Sequence, residues 1–587
     1  MKSPRTRIRS LFLIVSFAAL AGLSFDVDNS KIESSLLNII RDNPDNERQL
    51  VWICFTDKGQ NTDALLSSPE IYLTQRSIDR RYKRIKTGIF FDERDLPVDH
   101  NYVAGLEESG IIIKQRSKWF NAVSCYANSE EIQRAAEENY VKKIELVKKY
   151  KREKNITSSD APKESGFQFD HSGIINYGPS LNQSNLINVP LAHDLGFAGE
   201  NVLIASFDSG FDNLPHNCFN RMREKGLRTY DFVNGDTIVA DGTGRLGTGG
   251  HGTQTLSLIG GYDPGALVAP AFNSQFILAK TENNQVEIPL EEDNWIAAAE
   301  WADSLGADII TASLGYLHFD PPYKSYTWES MDGVTARVTI AAGIAVSKGI
   351  IVVASSGNEG DQNFPNTLNA PADGESVITV GAVLLNKKKA GFSSYGPTSD
   401  GRIKPDVMAL GVSNYTARPG LGGVGYINAN GTSMSTPMVA GVCAMILSAN
   451  PNLSPVQVRD ILRSTADSNF APNSKRGWGI VNAFDAVQTA LNTVAEIPVD
   501  YILYQNYPNP FNPSTTFKFS LSKNSNVSIF LYDMTGRQVD VILDNVFYGA
   551  GSREIKFFGD GLSSGIYFYS LIADGVLVAS KKMVLIK

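Results

Sequence analysis

The strongest constraint on this chain is a rhythm that runs from about Tyr177 to Leu491. Short β-branched runs, "NVLIASFDSG", "QFILAKT", "ADIITASLG", "GIIVVASSGN" and "SVITVGAV", recur along it, most of them closing on a small or polar residue. Between them lie "EEDNWIAAAEWADSL" and "VTIAAGIAVSKG", which have helical character. Near-continuous apolar strands alternating with helices imply a parallel sheet covered on both faces. The fold class is therefore α/β, a doubly wound parallel sheet. In such sheets ligands bind outside the carboxyl ends of the strands, so the residues that punctuate the strands are where chemistry is expected.

Four of those punctuation points carry reactive or hydrogen-bonding side chains. "IASFDSGF" ends a strand with Asp208, and "GTGGHGTQTLSLIGG" sets His251 between glycines at the start of an apolar helix. "VASSGNEG" ends a strand with Asn358, and "NGTSMSTPMVAG" displays Ser433. After Ser433 the apolar residues Val439, Val442, Cys443, Ile446 and Leu447 recur at helical spacing, with Pro437 expected in the first turn. Ser433 then sits at a helix N-terminus, where backbone N–H groups lack intrahelical partners and suit a developing negative charge. Taken singly, Asp-Ser-Gly, Gly-His-Gly and Gly-Asn are common turns. Together they supply a carboxylate, an imidazole, an amide and a hydroxyl at one end of one sheet.

The order and local strings of these residues resemble the subtilisin-like serine peptidases (subtilases, the S8 family). The matching strings are Asp208-Ser209-Gly210, His251-Gly252-Thr253, Gly357-Asn358 and Gly431-Thr432-Ser433-Met434-Ser435-Thr436-Pro437, and the likeness continues through "FSSYGP", "RIKPDVMALG" and "GWGIVNA". The resemblance implies a serine endopeptidase in which His251 activates Ser433, Asp208 orients and stabilises the imidazole, and Asn358 helps hold the oxyanion. It also implies substrate-binding walls at Ser313-Leu314-Gly315 and at Ser356-Gly357, with Ser355 beside them. Glu287, Glu291, Glu292 and Asp293 lie near where the family shapes more distant subsites. The same acids also suit a helix N-terminus electrostatically. No cofactor is required for this chemistry and no metal ligand is assigned. The stretch "GGYDPGALVAPAFNSQ" lacks the longer loop that holds calcium in some relatives, so a structural calcium stays unassigned.

At 587 residues the chain is long enough for roughly two to four domains. Lys2, Arg5, Arg7 and Arg9 precede "LFLIVSFAALAGL", a run suited to a signal peptide over residues 1–24, with a membrane anchor as the other reading. Residues 25–165 carry strand-like "QLVWICFTD", "WFNAVSCYAN" and "VKKIELV" and helix-like "SIDRRYKRI" and "SEEIQRAAEEN", then the polar linker "KKYKREKNITSSDAPKES". By the resemblance this is a propeptide that assists folding and blocks the cleft. Its basic cluster Arg76, Arg80, Arg81, Lys83, Arg84 and Lys86 is read as a solvated helix face rather than a nucleic-acid patch. Residues 175–492 form the peptidase domain. Residues 499–587 alternate in a way that fits a small antiparallel β-sandwich. There "YQNYPNPFNP", "GIYFYSLIADG" and "SKKMVLIK" resemble the sorting domain of the type IX secretion system, the alternative being a fibronectin-like or carbohydrate-binding module.

The partners expected are protein or peptide substrates, the chain's own propeptide and the type IX machinery. A formal charge of −8 argues against nucleic acid, and no membrane span is expected in the mature protein. The location expected is secreted or attached to the cell surface. The four cysteines, Cys54, Cys125, Cys218 and Cys443, show no CxxC spacing. Two rivals remain. One is an inactive binding or adhesion protein on the same fold. The other is an α/β-hydrolase esterase, which would need G-x-S-x-G and the order Ser, Asp, His.

Overall fold

The computed structural model describes residues 29–41, 46–66, 68–85, 90–147, 175–242, 244–247, 249–320, 323–420, 422–493 and 501–587. The signal segment 1–24, Lys86 and the polar linker from residue 148 lie outside the described residues. Within 175–493, seven strands form one wholly parallel sheet. They are β5 (Leu203–Asp208), β6 (Leu227–Asp231), β7 (Gln275–Lys280), β8 (Ile309–Ala312), β9 (Ile351–Ser355), β10 (Ile378–Val383) and β11 (Val407–Leu410). Their spatial order is β11-β10-β9-β8-β5-β7-β6. The chain therefore winds one way from β5 and then the other, and the switch point lies between β5 and β8. Asp208 is the last residue of β5 and Ser313 follows β8 directly.

Helices cover both faces. The helix α3 (Gly250–Gly260) lies in the core layer with α6 (Thr432–Ala449), while α4 (Leu290–Leu305) and α5 (Arg337–Ser347) back the other face. Val439, Val442, Cys443, Ile446 and Leu447 of α6 are all buried, each such aliphatic contributing about 1.5–3 kcal/mol when fully buried. By length and mean hydropathy α6 is apolar enough to cross a membrane, contrary to the expectation that no internal segment would be, yet 83% of it is buried against the sheet.

The N-terminal region folds as an antiparallel sheet, order β2-β3-β1-β4, from β1 (Gln49–Phe55), β2 (Ile112–Ser117), β3 (Ala122–Ala127) and β4 (Val141–Leu146). It carries the helices α1 (Gln75–Arg84) and α2 (Ser129–Glu137), and Asn128 caps α2 in a capping box with Glu131. The expectation for the basic cluster on α1 is overturned. Arg80 and Arg81 bind Asp303 of α4, and Arg84 binds Asp308 ahead of β8. All three guanidinium groups are buried, because charges without water need partners. Further along, Trp52 Nε1 donates to Asp293 (3.0 Å), and Glu300 accepts from the Lys118 and Trp119 backbone.

The C-terminal region is a two-sheet antiparallel sandwich. Its strands are β12 (Ser514–Leu521), β13 (Ser525–Tyr532), β14 (Gln538–Tyr548), β15 (Gly551–Phe558), β16 (Gly565–Ala573) and β17 (Val576–Leu585). The short strand Ile502–Leu503 joins β12 and β15 in one sheet, and β14-β13-β16-β17 form the other.

Candidate active site

At the end of β5, the Asp208 carboxylate is buried and fully engaged. Its Oδ1 accepts from His251 Nδ1 (2.8 Å) and from the Ser209 N–H (2.8 Å), and its Oδ2 accepts from Thr255 Oγ1 (2.9 Å). His251 and Thr255 are four residues apart on α3, so both face the same carboxylate. The close approach of α3 to β5 depends on Gly252, where a Cβ would lie 2.1 Å from Gly210 O. Burial pulls the His251 pKa down, but the Asp208 charge and hydrogen bond outweigh it and leave the pKa raised above the ordinary imidazole value.

Ser433 is the second residue of α6, and Gly431, at φ +134°, turns the chain into the helix. Pro437 lies in the second turn, not the first. It falls four residues after Ser433 and has no N–H, so it cannot supply the helical donor to the Ser433 carbonyl. Ser313 Oγ supplies it instead (3.0 Å), and Ser433 Oγ donates back to Ser313 O (3.1 Å). The nucleophile's backbone is thus tied to the chain leaving β8.

Asn358 is held by its acceptor end. Its Oδ1 accepts from Thr432 N–H (2.9 Å) and Thr432 Oγ1 (3.0 Å), which directs the amide N–H pair away from that contact. Met434 N–H donates to Gly431 O. Of the first three N–H groups of α6, Ser433's is the one that these hydrogen bonds do not engage. Asp208 and His251 thus meet directly, and Asn358 joins Ser433 through Thr432.

The predicted walls flank a space with contents that the sequence did not reveal. Leu314 O accepts from Ser355 Oγ (3.2 Å), and Ser356 O accepts from Asn369 N–H (3.2 Å). A Cβ on Gly315 would lie 2.7 Å from Asn369 Cβ, and one on Gly357 would lie 2.7 Å from both Asn369 Oδ1 and Glu359 Oε2. Asn369 and Glu359 therefore stand between the walls. Asn369 Oδ1 is buried without a hydrogen-bond partner among the described residues, and burial raises the Glu359 pKa. A cavity of about 360 Å³ adjoins them, lined in part by Glu287, Asp320 and Gly315.

Of the four acids placed near the more distant subsites, only Glu287 lines that cavity. Glu291, Glu292 and Asp293 are buried in the first turn of α4. Glu291 accepts from the Asn283 and Ile288 N–H groups, Glu292 from Tyr326, and Asp293 from Trp52. The segment after α3 offers few carboxylates. Its single carboxylate, Asp263, accepts a hydrogen bond from Tyr426 within a tight hairpin. Thr255, the Ser313 hydroxyl, Glu359 and Asn369 escaped the sequence reading. Only Thr255 had a local signal there, its i+4 spacing from His251.

Comparisons with known proteins bear on all three regions. The family profile described as "Subtilase family" matches residues 199–479. Those described as "Peptidase S8 propeptide domain, Bacteroidota" and "Secretion system C-terminal sorting domain" match residues 50–163 and 505–587. Subtilisin DY of Bacillus licheniformis is 34% identical over 306 residues, which cover 52% of this chain and 97% of that protein. Subtilisin of Bacillus pumilus is 36% identical over 309 residues, covering 51% and 96%. Subtilisin E of Bacillus subtilis (strain 168) is 36% identical over 310 residues, covering 51% and 70%.

Proposed function

The chain belongs to the subtilase family of serine peptidases, and from that premise we propose that it is a secreted endopeptidase working through Asp208, His251, Ser433 and Asn358. Its C-terminal sorting domain marks it for export, to be secreted or attached at the cell surface. The observation that supports the catalytic reading most is the hydrogen bond from His251 Nδ1 to Asp208 at the same sheet edge as the Ser433 helix start. With Nδ1–H donated to Asp208, Nε2 carries the lone pair and serves as base.

In the reaction, Ser433 Oγ exchanges its resting bond to Ser313 O for one to His251 Nε2. It attacks the peptide carbonyl while His251 takes its proton. The oxyanion is held by the Ser433 N–H and the Asn358 amide. His251⁺, stabilised by Asp208, then protonates the leaving amine, and water repeats the sequence on the acyl-enzyme. Leu314 and Gly315 offer backbone to an extended peptide, and Ser356 and Gly357 border the pocket for the residue before the cut. The propeptide is the first expected substrate.

The test is intact mass and N-terminal sequencing of purified proprotein over time, beside Ser433→Ala and with a serine-directed phosphonate. Shedding of the N-terminal region by the parent alone, with phosphonate attached at Ser433, supports the reading. An unlabelled parent that stays whole on the same clock as Ser433→Ala overturns it in favour of an inactive fold.

A further inference from the structure

We propose that the proregion has a second client besides the peptidase cleft. Three residues of one segment, Tyr82, Ile85 and Phe90, seat on the C-terminal sandwich at Phe547, Tyr548 and Arg553, and they hold that domain against the peptidase domain until the proregion is removed.

The segment is pinned to the peptidase domain at both ends. At one end Arg81 binds Asp303 (2.8 Å) and Asp95 (2.8 Å). The same guanidinium donates to Phe90 O (2.9 Å), so the group that grips α4 also fixes the far side of the segment. At the other end Lys348, just past α5, binds Asp92 (2.8 Å) and Asp95 (2.7 Å). Burial would push the Asp303 pKa up, but Arg81, Lys118 and Arg80 overcome it and hold the carboxyl far below the usual range.

Between these pins the apolar side chains turn the opposite way, onto the sandwich. Tyr82 meets Phe547 edge-on (ring centroids 4.9 Å apart), and Phe90 meets Tyr548 in the same manner (5.3 Å). Arg553 lies over the Phe90 ring at 5.5 Å and points a guanidinium N–H at Tyr82 O. Gly549 makes the approach possible, since a Cβ there would come within 2.9 Å of Tyr82 O. Ile85 and Phe90 are buried in the same apolar cluster as Phe519 and Tyr548 of the sandwich. Among the described residues, the hydrogen bonds and ring contacts that reach the sandwich from elsewhere in the chain all come from this segment.

The helix α1 therefore presents charge to the peptidase domain, while Tyr82 on it and Phe90 beyond it present aromatic surface to the sandwich. Removing the proregion withdraws both halves of the clamp together. The sandwich is then joined to the peptidase domain through residues 494–500 of the chain, and its Phe547–Arg553 face is uncovered. Peptidase maturation and release of the C-terminal domain become one event.

The experiment uses the full chain carrying Ser433→Ala, so that it stays whole, with spin labels at Phe470→Cys and Met534→Cys. Both positions are exposed and the four native cysteines are buried. Pulsed dipolar spectroscopy of this protein should give one narrow distance peak. Phe547→Asp, which leaves the proregion sequence intact, should cut the intensity of that peak at least twofold. Tyr82→Ala with Phe90→Ala should do the same, as should cleavage and removal of the proregion by an added protease. A narrow peak that survives both Phe547→Asp and loss of the proregion overturns the proposal. Broadening by Tyr82→Ala with Phe90→Ala alone also overturns it, because it would report only misfolding of the proregion.

Discussion

Replacing Ser313 by alanine tests the account of how the nucleophile is held. Pro437 denies the Ser433 carbonyl its helical donor, and the Ser313 hydroxyl fills the gap at 3.0 Å. Ser313→Ala leaves that carbonyl without a partner beside a buried helix start, a cost of about 1–3 kcal/mol. If residue 437 is alanine, its N–H returns four residues along and takes the carbonyl, and the Ser313 hydroxyl becomes nearly dispensable. The two substitutions should therefore couple by about 1–2 kcal/mol, with Ser313→Ala costing less in the Pro437→Ala background. The four proteins of the cycle would be compared by calorimetry in a Ser433→Ala background, which keeps the backbone carbonyl and prevents self-digestion. In a domain of this size each kcal/mol moves the Tm by about 2 °C. Ser313→Ala should then lower the peptidase-domain Tm by about 2–6 °C beside Pro437 and by about 1 °C beside Ala. Equal shifts in the two backgrounds would refute the reasoning, whatever their size.

Four further outcomes are expected. Asp208→Asn should lower kcat by about 10⁴-fold; because Asp208 raises the His251 pKa and the base must be neutral, the rising limb of the pH–kcat/KM profile should also move to lower pH. Asn358→Ala should lower kcat by about 10²–10³-fold with little change in KM, read with a chromogenic peptide. Asn369→Gly empties the space between Gly315 and Gly357 and should raise kcat/KM for an aromatic residue before the cut by about tenfold or more relative to alanine, given about 1.5–3 kcal/mol for burying such a ring. Burial, to which Trp52 of the proregion adds, raises the Asp293 pKa to about 7 against the opposing pulls of Arg337 and of the Trp52 N–H, so the complex with the proregion should bind a proton there that the uncovered enzyme does not. That contribution is complete below the uncovered pKa and is lost as pH rises through about 7; inhibition by added proregion should weaken by up to about tenfold per pH unit over that window, and Asp293→Asn should flatten the slope.

The sheet and the four residues at its edge were legible because the signals are local. Strands buried on both faces must be apolar throughout, and the polar residue that ends each one is conspicuous. Where that condition lapses, the signal lapses too. The edge strand β6 is half-exposed and mixed, β2 of the proregion alternates with charge, and β11 is only Val407–Leu410. Asn369 was invisible for another reason: its place between the walls is set by pairing with Ser356 and by the Tyr316–Ala370 bridge, contacts that no short window contains. The role of Pro437 likewise needed Ser313, which lies 120 residues before Ser433.

The basic helix α1 is more instructive, since part of its fate could be inferred without coordinates. Arg76, Arg80 and Arg84 follow one another at four-residue intervals, which lines three like charges along one face. Such pairs destabilise an isolated helix by about 0.2–0.5 kcal/mol each. Asp79 is the single acid within the helix and cannot balance three arginines. A helix of this kind gains from meeting anions elsewhere, and Asp303 and Asp308 provide them. Both lie more than 220 residues further along, in another domain. The need for a counter-charge was therefore written locally, while its address was not. Covering that face removes Arg80 and Arg84 from water, so each of those two is stable only while its aspartate is present. Asp303→Ala should consequently weaken the proregion's grip by about 3–5 kcal/mol, whereas removing the exposed Arg116–Glu107 pair should change it by less than about 1 kcal/mol. Titration of the separately expressed enzyme with proregion would measure both, and equal effects would show that the buried charges on α1 do not hold the two domains together.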